Sequence, residues 1–354
     1  GKAKGVLLSN LSLNAVAFGY RHTENLFDFQ LGEKFLCCVP PFLAVGLSVC
    51  YHMPLCLGLE LILCPDPSPA AAPKYIRKYH PNHVLAGALH IDQIISDEAL
   101  QKENLSFLYT VACGGDKKDS LWEENAARFL IEHHARHGLI NGYGLSEVAG
   151  SFCTTMHYSS QMLPFVRNNI MIVDSETDKE LPSGSEGEVL VSGPSLMLGY
   201  WNGNLCPDED AFCIKDGVKW LRTGDLGTIT PDGYFHITGR LKRILWATGD
   251  DQIVNKIYPM QIEEVILHEP AVRRCAVVGR PNDQRGFLPI AFIELADEKT
   301  DKNVVSTRIR RICKSSLKAN AQPYELIFVE RLPYTRAGKV DYRTLERMAA
   351  EFSD

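Results

Sequence analysis

Residues 107–146 constrain the fold more than any other stretch of the chain. Phe107–Cys113 is a short apolar run with strand character, and Gly114 and Gly115 make a turn after it. Asp119 or Ser120 then caps a helix that the spacing of Leu121, Trp122, Phe129 and Leu130 carries to about His137, where Gly138 stops it. Leu139 and Ile140 begin a second strand, which ends at Asn141-Gly142. Alternating strand and helix predicts an α/β layer with ligand loops at the strand ends.

The rest of the chain divides by pattern. Residues 165–240 alternate short strands, such as Glu188–Val191 and Tyr234–Ile237, with Gly, Pro and Asp turns, as in an all-β subdomain. From Lys242 onward the spacing predicts helices at about 260–267, 304–317 and 342–352. Strands are expected at 275–278, 289–294 and 326–329. The expected organisation is therefore an α/β layer plus β-subdomain over residues 1–241, followed by a small α+β domain over 242–354. Charge follows the same division. Residues 242–354 carry 19 Lys/Arg and 16 Asp/Glu, net +3, whereas the whole chain carries −6, which leaves −9 for residues 1–241.

An overall acidic balance argues against a nucleic-acid binder, and 45% hydrophobic residues with no low-complexity tract exclude disordered and fibrous classes. The eleven cysteines are scattered, with no C-x-x-C pair, so they read as small core residues of a protein in a reducing cytoplasm rather than as zinc ligands or a disulfide framework. The most apolar stretch, Val39–Cys64, is interrupted by Pro40, Pro41, His52, Pro54, Gly58 and Glu60, which disfavours a membrane-spanning helix. The opening Gly1-Lys-Ala-Lys-Gly5 feeds straight into an apolar strand, so the chain is expected to be a fragment whose upstream part is missing.

Four segments couple glycines to a charged or hydroxyl residue. Asn141-Gly-Tyr-Gly-Leu-Ser-Glu147 offers a ring for stacking, bare N–H groups for phosphate, and a hydroxyl and carboxylate for phosphate and Mg2+. Arg222-Thr-Gly-Asp225 offers a carboxylate to ribose hydroxyls. Gly233–Arg243 ends a strand at a glycine and places three cations in four residues. Leu332–Arg343 presents Lys339 on a Gly-containing loop, where a cation can neutralise charge developing at a carboxylate–phosphate centre. Taken singly, each also reads as an ordinary turn, a core tyrosine or a solvated cation.

Together, and in this order, the four resemble the adenylate-forming (ANL) superfamily of acyl-CoA synthetases, aryl-CoA ligases, luciferases and peptide-synthetase adenylation domains. The resemblance covers the whole chain. Gly1–Gly5 is similar to the tail of the family's phosphate loop, with Lys4 as its lysine and Ala3 where Pro is usual. Cys113-Gly-Gly-Asp116 stands at the adenine position, Gly187–Gly193 and Gly199-Tyr200 resemble the strand pair before the ribose motif, and Gly239-Arg-Leu-Lys242 resembles the hinge.

The resemblance implies activation of a carboxylic acid by ATP to acyl-AMP, then thioester formation with coenzyme A. It implies ATP/AMP contacts at Lys4, Gly114, Gly115, Asp116, Asn141, Tyr143, Gly144, Asp225 and Arg240. Lys339, Ser146 and Glu147 would be catalytic, with Glu147 also the Mg2+ ligand. Lys242 would be the hinge of a C-terminal lid domain, Gly249 and Trp246 would line the CoA route, and Phe42, Leu43 and Gly142 would line the acyl pocket. Two departures bear on specificity. The stretch Ile244–Pro259 is about five residues longer than usual, with Trp246 where many relatives have Lys, which leaves an acyl carrier protein as an alternative acceptor. Leu43 stands where a His is common, and the acidic partner for an α-amine is absent, which favours a fatty or aryl acid over an amino acid. An inert folded fragment is the third reading. His133, His134 and His137 near helical spacing read as a solvated helix end rather than a zinc site.

Overall fold

The structure is a computed structural model that describes residues 4–23, 27–66, 68–115, 120–155, 161–201, 205–206, 211–248, 254–335 and 339–351. It divides into two compact units, the larger taking in Gly1–Lys118 and Trp122–Ile237 and the smaller Asp119–Leu121 and Thr238–Asp354. The change therefore falls a few residues before the 241/242 boundary that the pattern suggested.

Strand β1 (Gly5–Leu7) and helix α1 (Asn10–His22) come first. Ser9 caps α1 in a reciprocal box: the Ser12 N–H donates to Ser9 Oγ at 3.0 Å and the Ser9 N–H donates to Ser12 Oγ at 3.1 Å. Five strands follow, β2 (Lys34–Cys37), β3 (Glu60–Leu63), β4 (His83–Ala86), β5 (Thr110–Gly114) and β6 (Leu139–Tyr143). Helices α2 (Met53–Leu57), α3 (Ala72–Tyr79), α4 (Ala88–Ser96) and α5 (Ser120–Glu132) lie between them, and a wide π turn, Gly46–His52, runs into α2. The five strands pair in parallel, in the order β3-β2-β4-β5-β6.

Both faces of this layer are covered, as a parallel sheet requires. Side chains alternate: Leu36 and Cys38 point to the face packed by α3, α4 and α5, with Ile76, Ile94 and Leu130. Phe35 and Cys37 point to the opposite face, with Val16 and Tyr20 of α1 and Val49 of the π turn.

Beyond β6 the same sheet continues antiparallel through β7 (Cys153–Thr155) and β8 (Met162–Pro164), then through β15 (Phe235–Arg240), β14 (Val218–Ile229), β10 (Gly187–Ser192) and β9 (Asn169–Val173). Strand β13 (Phe212–Lys215) pairs with β14, and β1 joins β11 (Gly199–Trp201) and β12 (Leu205–Cys206) in a separate three-stranded sheet.

The smaller unit holds a five-stranded sheet. Hairpin strands β16 (Leu245–Thr248) and β17 (Val254–Ile257) precede α6 (Pro259–Leu267), β18 (Val272–Asn282), β19 (Gly286–Leu295), α7 (Lys302–Ser316), β20 (Glu325–Val329) and α8 (Tyr342–Glu351). Ile262 and Ile266 of α6 and Val305 and Ile309 of α7 fill one side of that sheet, and Leu345 and Ala349 of α8 close the other over Ile290 and Phe292.

The α/β layer, the β-subdomain and the small α+β unit are all present, and one local expectation, the end of a helix, is corrected. Helix α5 stops at Glu132 rather than near His137, because His134 takes a left-handed φ of 67°. His133 then turns inward, with ring nitrogens 2.8 Å from the Phe129 carbonyl and 3.0 Å from that of Gln101. In the lengthened stretch after Lys242, β16 and β17 pair antiparallel, with Leu245 opposite Ile257. Six of the described cysteines are buried, as small core residues would be, but Cys56 is exposed. No helix among the described residues is long and apolar enough to cross a membrane.

Candidate active site

The ends of β5 and β6 form a bare backbone shelf in the larger unit. Gly114 and Gly142 are register partners, and a Cβ on Gly114 would lie 3.6 Å from the Gly142 carbonyl. Gly115 follows at φ +100°, with open space where a side chain would stand. Such a shelf admits a planar ring against the peptide. Asp116 lies outside the described residues. The neighbouring Asn141 is held by its backbone, its N–H donating to Thr155 Oγ1 at 2.9 Å and its carbonyl accepting from Thr154 Oγ1 at 3.1 Å.

Tyr143 ends β6, and its hydroxyl donates to Asp225 Oδ2 at 2.9 Å. Its ring packs against Phe235, with centroids 5.5 Å apart. Asp225 is only 2% exposed, so a carboxylate is held out of water where ribose hydroxyls could be its donors. Burial, then the neighbouring Asp225 charge, push the Tyr143 phenol well above the usual tyrosine range.

The motif that presents Asp225 is a bulge within β14. Leu190 faces Arg222 and Glu188 faces Leu226, so Val189 alone opposes Thr223-Gly224-Asp225. Gly224 supplies the left-handed φ of 68° the bulge needs, and Thr223 ties it down by donating to the Val189 carbonyl at 2.7 Å and accepting the Asp225 N–H at 3.0 Å. Arg222 turns away into ion pairs with Glu188, at 2.8 Å, and Asp178. That arginine braces the sheet.

A second cluster follows at the single 3-10 turn Ser146–Val148. Ser146 is exposed. Glu147 is half-buried, accepts the Tyr200 hydroxyl at 2.8 Å through Oε1, and receives the Met197 N–H at its carbonyl, also at 2.8 Å. Lys4 Nζ lies 4.3 Å from the centroid of the Tyr200 ring. Pairing of β1 with β11, with Val6 opposite Tyr200, brings these three together from distant parts of the chain. Tyr200 is a member that sequence reasoning passed over. Its signal was Gly199-Tyr200, read only as strand.

The loop after Gly144 fits tightly. A Cβ on Gly144 would lie 2.3 Å from the Gly150 carbonyl, and one on Gly150, at φ +94°, would lie 2.4 Å from Val45 N. Backbone contact therefore seats residues 44–45, in the segment expected to line the acyl pocket, on the nucleotide loop. Phe42 in that segment is exposed and Leu43 partly so. Gly142 sits within β6, its hypothetical Cβ 3.7 Å from the Cys153 carbonyl.

Four expected residues belong to the smaller unit. Arg240 ends β15 and is exposed, Lys242 is exposed in the short turn Leu241–Arg243, and Trp246 is 45% exposed on β16. Lys339 is exposed beside a turn in which its N–H donates to Thr335 Oγ1 at 3.3 Å and its carbonyl accepts the Thr335 N–H at 2.8 Å. Gly249 and Gly338 lie outside the described residues. Arg243 anchors this end of the chain: it pairs with Glu263 at 2.5 Å and stacks over the Tyr342 ring at 3.9 Å. No group of three or more His, Cys, Asp or Glu is placed to hold a metal among the described residues.

A glycine shelf beside a buried acid and a lysine–tyrosine–glutamate string thus lie together in the larger unit. The sequence profile of AMP-binding enzymes matches residues 1–201, and that of the AMP-binding enzyme C-terminal domain matches residues 261–339. The chain belongs to the AMP-binding enzyme family, the adenylate-forming superfamily whose motifs it carries. It is 30% identical over 355 residues to the long-chain-fatty-acid–CoA ligase of Bacillus subtilis (strain 168), covering 98% of this chain and 59% of that protein. It is 27% identical over 348 residues to feruloyl-CoA synthase of Amycolatopsis sp, covering 96% and 66%. The chain thus spans 59% to 66% of the length of these two relatives. The fold matches that of the amide bond synthetase McbA from Marinactinospora thermotolerans, with a TM-score of 0.83 at 25% identity over 98% of this chain and 67% of that one. It also matches the anthranilate CoA ligase AuaEII in complex with anthranoyl-AMP, with a TM-score of 0.81 at 23% identity over 98% and 65%.

Proposed function

We propose that this protein is an AMP-forming acid–thiol ligase, which activates a fatty or aryl carboxylic acid with ATP to acyl-AMP and pyrophosphate and then transfers the acyl group to coenzyme A. The observation that carries the reading is Asp225, a buried carboxylate set on a bulge beside Tyr143 and the glycine shelf. Asp225 accepts the ribose hydroxyls, while Gly114, Gly115, Asp116, Asn141, Tyr143 and Gly144 bound the adenine. Lys4 and the N–H groups near it attract phosphate. Ser146, and Lys339 from the smaller unit, bear on the α-phosphate as the acid attacks, and Arg240 helps to hold the nucleotide.

Glu147 suits Mg2+, which takes one or two carboxylates and completes its shell with phosphate oxygens and water. When bound, that ion polarises the phosphates. Lys242, a few residues past the change of unit, is the pivot, with Trp246 and Gly249 along the thiol's route and Phe42, Leu43 and Gly142 along the acid's. The two relatives named for CoA support coenzyme A, rather than an acyl carrier protein, as acceptor. The proposed setting is the reducing cytoplasm.

The test is binding of AMP by calorimetry, together with acid-dependent exchange of pyrophosphate into ATP, across a panel of fatty and aryl acids. Asp225→Ala is expected to abolish nucleotide binding. AMP affinity unchanged in Asp225→Ala would overturn the reading.

A further inference from the structure

Four cysteines gather at the C-terminal ends of β2 and β3, and the nucleotide site uses none of them. They form two pairs on opposite faces of the sheet. Cys37 and Cys50 sit on the α1 side, 3% and 0% exposed, with the Cys37 thiol donating to the Cys50 carbonyl at 2.6 Å. That pair is sealed from solvent.

Cys38 and Cys64 sit on the other face. Strands β2 and β3 are parallel with Cys37 opposite Leu63, so Cys38 and Cys64 are the next residues in the same register. Both pack on the core that contains Ala86 and Cys113. Neighbouring strands lie about 4.8 Å apart, inside the Cα separation that a disulfide spans. Cys38 is 3% exposed, whereas Cys64 reaches solvent. The neighbouring Cys38 thiol favours the Cys64 thiolate against burial and the nearby Asp66. The accessible sulfur is thus also the more acidic one, and a second thiol stands next to it in the strand register.

We propose that Cys38 and Cys64 are a peroxide-responsive thiol pair that closes into a reversible disulfide. In the first step the Cys64 sulfur attacks one oxygen of the peroxide. An S–O bond forms, the O–O bond breaks, and Cys64 becomes a sulfenic acid as water leaves. In the second step the Cys38 sulfur attacks Cys64, the S–O bond breaks, and a second water carries off the hydroxyl with the Cys38 proton. A thiol reductant restores both cysteines. A disulfide with one sulfur at a solvent-reached strand end is open to reduction, as regulatory disulfides are.

The test is a peptide map of the folded chain after a small excess of hydrogen peroxide, with free thiols alkylated and no reductant in the digest. A peptide joining Cys38 to Cys64, two hydrogens lighter than its parts and lost on reduction, is expected. In Cys38→Ala, Cys64 should instead be captured as a dimedone adduct. The map on the unaltered chain needs no variant to fold. Cys64 recovered fully alkylated while Cys56 is oxidised, or a link between Cys37 and Cys50 in its place, would overturn the proposal.

Discussion

Asp225 is a carboxylate taken out of water before any ligand arrives, and Tyr143 is one of the donors that make this tolerable. A hydrogen bond to a charged group contributes about 1.5–3 kcal/mol, and leaving a buried acceptor short of a donor costs a similar amount. Tyr143→Phe should therefore lower stability by about 2 kcal/mol, read from the urea midpoint with an unchanged denaturant slope. Its nucleotide affinity should fall far less than that of Asp225→Ala, because the acid remains. Tyr143 shares its high phenol with Tyr20, which burial pushes up to about 12 and whose hydroxyl lies 3.2 Å from Ser151 Oγ. Both folded-state values exceed the unfolded value of 10.0. The unfolded chain thus loses these protons first, and the stability they carry is intact below pH 10 and drains away through pH 12 and above. Urea midpoints measured across that range should fall steadily, and Tyr20→Phe should flatten the fall.

At the scale of elements, the sequence spoke clearly where one local pattern decided the outcome. Helix α7 and the strands β10 and β20 lie within two residues of expectation because their apolar periods are unbroken. Helix α5 ran short because His133 found two carbonyl partners, one of them 32 residues away, which no local period encodes. Asp225 stood out in the sequence after Thr223-Gly224, but the bulge that presents it did not, since a bulge exists only relative to the partner strand β10. Tyr200 was missed for the same kind of reason: its neighbours Lys4 and Glu147 are adjacent only after β1 and β11 pair. Arg243 illustrates the reverse, a cation read as part of a basic turn that proves to brace α6 and α8. Glu263 accepts both Arg243 and the buried Val277 N–H, the latter at 2.8 Å. Glu263→Ala should destabilise the smaller unit by about 3 kcal/mol, with little change in the larger unit's unfolding, a split that calorimetry would resolve.

At the scale of the molecule, each unit has a core of its own. The smaller one closes a five-stranded sheet between α6 and α7 on one side and α8 on the other. A core so enclosed satisfies the usual requirement for independent folding. Residues 238–354 expressed alone should give a native circular dichroism spectrum and a single cooperative transition. A broad, denaturant-insensitive signal would show that the unit depends on its neighbour. The charge asymmetry follows the same partition, with the basic surplus confined to the unit that carries Lys242 and Lys339.

The bulge at Thr223–Asp225 has an arithmetic of its own. Three residues stand where one would do, so the strand gains two positions, an even number. Side chains in a strand alternate with a period of two, and an even insertion preserves parity. Leu221 before the bulge and Gly227 after it stand on one face, opposite Val191 and Gly187, while Arg222 and Leu226 stand on the other, opposite Leu190 and Glu188. The sheet can host or lose this acid without turning a single downstream side chain inside out. An odd change in length at the same place would reverse every one of them.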